Sequence, residues 1–146
     1  MAIVDTFERC LKGPYLFVDA DAPARLPALL ALADDRVGLC AAILDKNSGD
    51  PDDVNQYAYE GMLACVRALV YAHGYREAGL RCLMLACEKL RVEKGELEPD
   101  HLRWFERVQG RRTRPEEARD AALALLARTR ELLAAAATTP TTTTAS

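Results

Sequence analysis

Histidine, aromatic residues and strand-like patterns are all scarce in this sequence. Two of the 146 residues are His, and aromatic residues make up 6% of the chain. Val and Ile are sparse and never alternate with polar residues over the length of a strand, which predicts a chain without a β-sheet. With only His73 and His101 available, no group of His and Cys residues has the spacing of a zinc site. The sequence therefore predicts neither a metal site nor another cofactor.

Long apolar runs and a secretion signal are missing as well. No run approaches the roughly 20 apolar residues of a membrane helix. Residues 1–12 mix apolar residues with Asp5, Glu8 and Arg9, as an amphipathic helix does. The number of cysteines is odd and no CxxC motif occurs, so we expect reduced, mostly buried thiols in a cytoplasmic protein without membrane association. The five cysteines are Cys10, Cys40, Cys65, Cys82 and Cys87.

The charge is acidic overall but uneven along the chain. The formal net charge is -3, which does not indicate a strongly basic nucleic-acid binder. Residues 1–60 hold 11 acids and 5 bases, whereas residues 61–146 hold 14 bases and 11 acids. Between residues 103 and 114 there are five arginines and a single acid, Glu106. This arginine-rich segment is the most distinctive local feature of the sequence.

Helix-forming residues are abundant, because Ala, Leu and Arg dominate the composition. Apolar residues recur at three- and four-residue steps, as on the buried face of a helix. Gly74 and Gly95 are predicted to end helices in the left-handed conformation, and Thr113 with Glu116 predicts a capping box at the start of the last helix. The predicted helices cover about residues 2–11, 24–45, 52–73, 77–93 and 113–135, with a shorter piece at 99–108.

Short connections between long amphipathic helices predict antiparallel neighbours. We therefore expect an all-α fold, an up-and-down bundle of about five helices, formed by residues 1–136 as a single domain. From residue 137 to residue 146 the chain is rich in Thr and poor in core-forming residues, so this tail is predicted to be disordered.

The segment from Asn55 to Arg76 carries a family likeness. It is rich in Tyr and Ala and ends at Gly74-Tyr75-Arg76. In both respects it resembles the central helix of HEPN domains, which commonly ends in a Gly-Tyr-Arg type of turn. The resemblance covers about residues 26–133 and implies an HEPN-like helical core over that range.

The resemblance also implies a chemistry to look for. Active HEPN domains are metal-independent ribonucleases. Their signature is an Arg, often followed by Asn, with a His four to six residues further on at the last long helix. In the usual homodimer two such motifs meet across the interface, where the His transfers protons and the Arg binds phosphate. Many other members lack the signature and serve as antitoxins, accessory proteins or binding modules.

This chain departs from the signature at its His. Thr113 stands where Asn is common, and no His follows before the last helix. Proton transfer near neutral pH needs a group such as an imidazole, whereas guanidinium groups stay protonated and only bind negative charge. The arginines are therefore candidates for phosphate or nucleic-acid binding; the alternative is a solvated turn in which they pair with nearby acids. These candidates are Arg107, Arg111, Arg112 and Arg114.

Three functions compete on this basis. The first, favoured by the missing His, is a non-catalytic HEPN-like binding or accessory module of a toxin–antitoxin or defence system. Its partner would be a second copy in a homodimer, a nucleotidyltransferase-like or toxin-like protein, or RNA. The second is a toxin-type ribonuclease in which Arg111 or Arg112 works with a His from elsewhere, His101 or His73. The third is a structural adaptor that shares only its fold with HEPN domains.

One Arg and His pair with suitable spacing occurs outside the expected place. Arg67 and His73 lie near the end of the helix predicted for residues 52–73, whose wide apolar face predicts a central, buried position in the bundle. Six positions along a helix place them about 120° apart around the axis. We expect no joint role for this pair, and we expect His101 to be an exposed residue in the first turn of its helix.

Overall fold

Six α-helices account for most of the described chain. The computed structural model describes residues 5–47 and 49–138. A 3-10 turn, Ala22–Arg25, leads into the second helix, and a π-helical turn, Glu88–Val92, extends the fourth. The prediction of an all-α helical bundle is confirmed. The helices are α1 (Phe7–Lys12), α2 (Leu26–Asp45), α3 (Pro51–Tyr71), α4 (Leu80–Cys87), α5 (Pro99–Gln109) and α6 (Pro115–Thr138).

The core of the bundle is built around α3. Its buried residues recur on a face wide enough to contact several neighbours, and they include Met62 and Leu69, both fully inaccessible. Helices α2 and α6 make the most extensive contacts with α3. Phe105 of α5 adds a stacked ring contact with Tyr59 of α3, with centroids 5.6 Å apart. The predicted central position of this helix agrees with its burial.

The prediction of a chain without a β-sheet is wrong. Residues Leu16–Val18 form strand β1 and Tyr75–Glu77 form strand β2, and the two pair antiparallel with Phe17 opposite Arg76. Strands of three residues are too short to show alternation in a sequence. The second strand also replaces the expected turn and helix start, because α3 ends at Tyr71 and the chain pairs with β1 directly after Gly74, whose φ is 83°.

The predicted helix at residues 77–93 begins at Leu80 and changes to π-helical hydrogen bonding after Cys87. After α4 the chain makes i to i+5 bonds, such as the one from Glu93 N–H to the Glu88 carbonyl at 2.9 Å. The wider turn accompanies a buried arginine, Arg91, whose Nε donates to the Leu69 carbonyl at 3.0 Å and whose Nη1 donates to Glu96 at 2.7 Å. Buried charge needs such partners, and periodicity alone does not reveal them.

The expectation of five reduced cysteines is wrong for two of them. Cys10 of α1 and Cys82 of α4 form a disulfide, with their Cα atoms 5.7 Å apart, a separation that disulfide geometry allows. The other three are free and buried, and burial raises the pKa of Cys40 to about 11 and the pKa values of Cys65 and Cys87 to about 12. Reduced thiols were one reason to expect a cytoplasmic location. Cys10 and Cys82 no longer provide that reason, because they are bonded to each other.

The ends of the chain were predicted in part. Helix α6 continues to Thr138, beyond the predicted end at residue 135. The predicted disordered tail begins at residue 137, and its residues 139–146 lie outside the described residues, as do residues 2–4 of the first predicted helix. None of the helices in the described ranges has both the length and the apolar character needed to cross a bilayer.

Candidate functional site

The arginine-rich segment of residues 103–114 covers the second half of α5 and its connection to α6. We call residues 107–114 the arginine turn. Leu102, Phe105 and Val108 bury one face of α5 against the core, and their spacing is that of an amphipathic helix. The arginines of the segment are exposed. The turn is therefore held by a packed helix on each side while its guanidinium groups remain at the surface.

Helix α5 ends in a Schellman motif with an arginine in the position that glycine usually takes. Arg112 N–H donates to the Arg107 carbonyl at 2.9 Å, and Arg111 N–H donates to the Val108 carbonyl at 3.1 Å, the two bonds that define the motif. Arg111 has a φ of 56°, and Gly110 lies one position too early to take that conformation. A left-handed L-residue costs about 1 kcal/mol, and such positions cluster at functional sites.

A buried amide anchors the turn to the central helix. Asn55 of α3 donates from Nδ2 to the Val108 carbonyl at 3.0 Å and accepts at Oδ1 from the Thr113 hydroxyl at 3.2 Å. Thr113 is thus engaged with α3 and does not cap α6, so the predicted Thr113–Glu116 capping box is wrong by one residue. Helix α6 begins after Arg114, whose N–H donates to Glu117 Oε1 at 2.9 Å.

Two of the four candidate arginines are held by neighbours. The Arg107 Cζ lies 4.5 Å from the ring centroid of Trp104, within the range of a cation–π contact. Arg114 lies 3.6 Å from Glu117 through its Nε. Its backbone N–H and its guanidinium lower the pKa of the Glu117 carboxyl, with Arg107 adding to the effect. The alternative of a turn in which arginines pair with acids thus applies to Arg114, and also to Arg111 through its contact with Asp52.

The other two candidate arginines are more available. The Nη1 of Arg111 lies 3.8 Å from Asp52, and both side chains are more than half exposed, so this ion pair contributes little. Arg112 forms no ion pair with any residue in the described part of the chain. It lines an open groove of about 760 Å³ between α4 and α5. The apolar lining of the groove consists of Leu80, Met84, Leu85 and Leu102, and Arg81, Glu88 and Glu106 also line it.

The structure places His101 and Arg112 in different clefts, whereas Arg107 stacks on Trp104, which lines the cleft of His101. His101 is half-buried, against the expectation of an exposed residue, and burial lowers its pKa. It lines a cleft of about 390 Å³ between α5 and α6 together with Trp104 and Glu117. Arg112 lines the other side of α5, in the groove with α4. The eight helical steps from His101 to the end of α5 correspond to roughly 12 Å along the axis.

His73 follows the C-terminal end of α3, whereas Asn55, which anchors the arginine turn, lies near the N-terminal end of that helix. Burial lowers the pKa of His73, and Arg91 is the next largest influence. Arg67 instead bonds through Nε to Glu77 at 2.9 Å. The two members of the Arg67 and His73 pair therefore face different surroundings. Within residues 5–47 and 49–138, no group of three or more His, Cys, Asp and Glu side chains is placed to hold a metal ion.

A second arginine cluster was not predicted. Arg25, Arg67 and Arg76 come from the 3-10 turn, α3 and β2, and they line one cleft. These three arginines lie far apart in the sequence and follow no periodic pattern. They come together in the fold because β2 pairs with β1. The one available signal was Gly74, which ends α3 and so turns Arg76 back towards that helix.

Comparison with protein-family models, with curated proteins and with solved structures finds no match to this chain. The resemblance to HEPN domains therefore rests on the residues of the 26–133 range and on the order of its helices.

Proposed function

We propose that this chain is an HEPN-like module that binds RNA through its arginine turn and does not cleave it. One observation carries the proposal: Arg112 and His101 line different clefts on opposite sides of α5. General acid–base cleavage of the kind that the HEPN resemblance implies uses an imidazole within hydrogen-bonding reach of the reacting group. Arginines without such a neighbour retain the capacity to bind phosphate and lose the capacity to transfer protons.

Two features of the turn favour RNA as the ligand. Arg111 and Arg112 are adjacent, exposed and weakly paired or unpaired among the described residues, and guanidinium groups match phosphate oxygens in geometry and charge. Trp104 lies next to the turn beneath Arg107. Because the chain has a net charge of -3, binding is expected to be weak and sensitive to salt.

A protein partner is the second candidate, and the groove between α4 and α5 favours it. The groove combines apolar side chains with Arg112 and two acids, a mixture common at protein interfaces. The proposed partners remain a second copy of this chain or a nucleotidyltransferase-like or toxin-like protein. Absence of RNA binding by the wild-type protein would favour this candidate over RNA.

The Arg111→Gly variant tests the proposal because it is expected to raise the stability of the protein and to lower its affinity for RNA. Glycine adopts the left-handed conformation without strain, so the free energy of unfolding is expected to rise by about 1 kcal/mol. The same change removes a phosphate contact, so RNA affinity is expected to fall and the salt dependence to weaken by a slope of about 1. The measurements are urea denaturation and fluorescence anisotropy of a single-stranded RNA at several salt concentrations.

Two controls separate these effects. Arg111→Ala removes the guanidinium and keeps the left-handed backbone, so it is expected to weaken RNA binding without the gain in stability. Arg103→Gln removes an exposed arginine that pairs with Asp100 on α5 and is expected to leave RNA binding within about twofold of wild type. Unchanged RNA affinity in both Arg111 variants would contradict the proposed contact.

A further inference from the structure

Three arginines line one cleft between α2, α3 and β2. The cleft has a volume of about 410 Å³, within the range of small-molecule sites. It shares no residue with the arginine turn. Its lining consists of Arg25, Ala28, Leu29, Leu32, Arg67, Tyr71, Arg76 and Glu77.

The single carboxylate of the cleft is fully engaged with its neighbours. Glu77 has a side chain only 7% exposed. Its Oε1 accepts from the Tyr71 hydroxyl, and its Oε2 accepts from Arg67 Nε at 2.9 Å. Burial and the bond to Glu77 raise the pKa of Tyr71 to about 12, so the hydroxyl stays protonated and remains a donor. Glu77 therefore positions Arg67 and Tyr71.

Several N–H donors of the guanidinium groups form no hydrogen bond with any described residue. Arg67 bonds to Glu77 through Nε, and Arg76 bonds to Asp19 through Nε at 3.2 Å. Neither bond involves the terminal nitrogens, and among the described residues these nitrogens have no other hydrogen-bond partner. Arg25 forms no ion pair within the described ranges. Pairing with Glu77 and Asp19 thus leaves one positive charge and several N–H donors at the cleft.

One wall of the cleft is apolar. Ala28, Leu29 and Leu32 of α2 form it, and Leu32 is 36% exposed. A simple inorganic ion would leave this wall in contact with water. A ligand with an apolar body would cover it, and removal of apolar surface from water is favourable.

We propose that this cleft binds a small phosphorylated molecule. Its phosphate would be held by Arg25, Arg76 and the terminal nitrogens of Arg67, and its apolar body would lie against Leu29 and Leu32. A carboxylate needs only one arginine for a two-bond contact, whereas a phosphate dianion accepts from several. The three guanidinium groups therefore favour phosphate. This site is separate from the proposed RNA contact and does not depend on it.

Phenyl phosphate is the probe, with inorganic phosphate and benzoate as comparisons. Titration calorimetry or NMR is expected to show saturable binding of phenyl phosphate, tighter than that of inorganic phosphate by about tenfold because of the apolar wall. Benzoate is expected to bind more weakly than phenyl phosphate. In Arg25→Gln, phenyl phosphate affinity is expected to fall by about tenfold or more, since a charge-assisted contact is lost.

Arg25 is a suitable position because it is exposed and has no ion pair in the described ranges, so the variant is expected to retain wild-type thermal unfolding. The control is Arg103→Gln, in which phenyl phosphate affinity is expected to be unchanged. The proposal is overturned if the wild-type protein shows no saturable binding of phenyl phosphate. It is also overturned if Arg25→Gln and Arg103→Gln bind the probe equally, or if inorganic phosphate or benzoate binds as tightly as phenyl phosphate.

Discussion

Joint replacement of Cys10 and Cys82 by Ala is expected to lower the free energy of unfolding by about 4 kcal/mol. The disulfide links positions separated by 72 residues, and a crosslink across so long a loop restricts the unfolded chain strongly. It also ties the short helix α1 to α4. A six-residue helix has little stability of its own, so this helix is expected to detach in the double variant. Urea denaturation without reductant measures the change.

The cysteines provide their own control. Addition of a reductant is expected to shift the denaturation midpoint of the wild-type protein and to leave the double variant unaffected. Titration of denatured protein prepared without reductant is expected to detect the three free thiols, and to detect five after reduction. A wild-type midpoint that does not respond to reductant would show that Cys10 and Cys82 are not bonded in solution.

Gly61→Ala is expected to destabilise the bundle by about 2 kcal/mol through overpacking. Gly61 lies on the face of α3 that packs against Val37 and Ala33 of α2. A Cβ at this position would lie 2.6 Å from Cγ2 of Val37 and 3.3 Å from the Val37 backbone nitrogen. The Val side chain is stiff and buried, so relief requires movement of α2. Urea denaturation compares the variant with the wild-type protein.

Gly38→Ala is the matched control for this prediction. Gly38 lies on α2, is exposed, and a Cβ added there would have no heavy atom within 4 Å. The same substitution at this site gains only the helix propensity of Ala, so the free energy of unfolding is expected to rise by about 0.5–1 kcal/mol. If both variants stabilise the protein, α2 and α3 do not approach as closely as described.

Local signals in the sequence were sufficient for the helices and several of their ends. The apolar spacing of residues 52–73 predicted α3 and its central position. Gly74 and Gly95 have φ values of 83° and 75°, as expected for residues that end helices. These features depend on a few neighbouring residues, and so a single sequence contains the information needed to predict them.

The features that were missed depend on contacts between distant segments. The strand at Tyr75–Glu77 forms because Leu16–Val18 pairs with it, and neither has a pattern of its own. The bond between Cys10 and Cys82 forms because α1 lies against α4. Thr113 does not cap α6, because its hydroxyl donates a hydrogen bond to Asn55 on another helix. In each case a tertiary partner overrides the local preference.

The candidate site shows the same division. The sequence predicts that its arginines are exposed in one turn, and they are exposed in the structure. The left-handed backbone of Arg111 was not predicted, because Gly110 beside it is the residue expected there. The packing of α4 and α6 around α5 determines which cleft His101 lines and which cleft Arg112 lines. This packing decides whether imidazole and guanidinium groups meet.

The most direct test of binding without cleavage is prolonged incubation of the purified protein with single-stranded RNA, followed by gel electrophoresis. Because Arg111 and Arg112 lack a neighbouring imidazole, the RNA is expected to remain as intact as it does in buffer. Degradation by the wild-type protein that disappears in a matched preparation of Arg112→Ala would contradict the account. Loss of that activity in His101→Ala as well would identify the proton carrier.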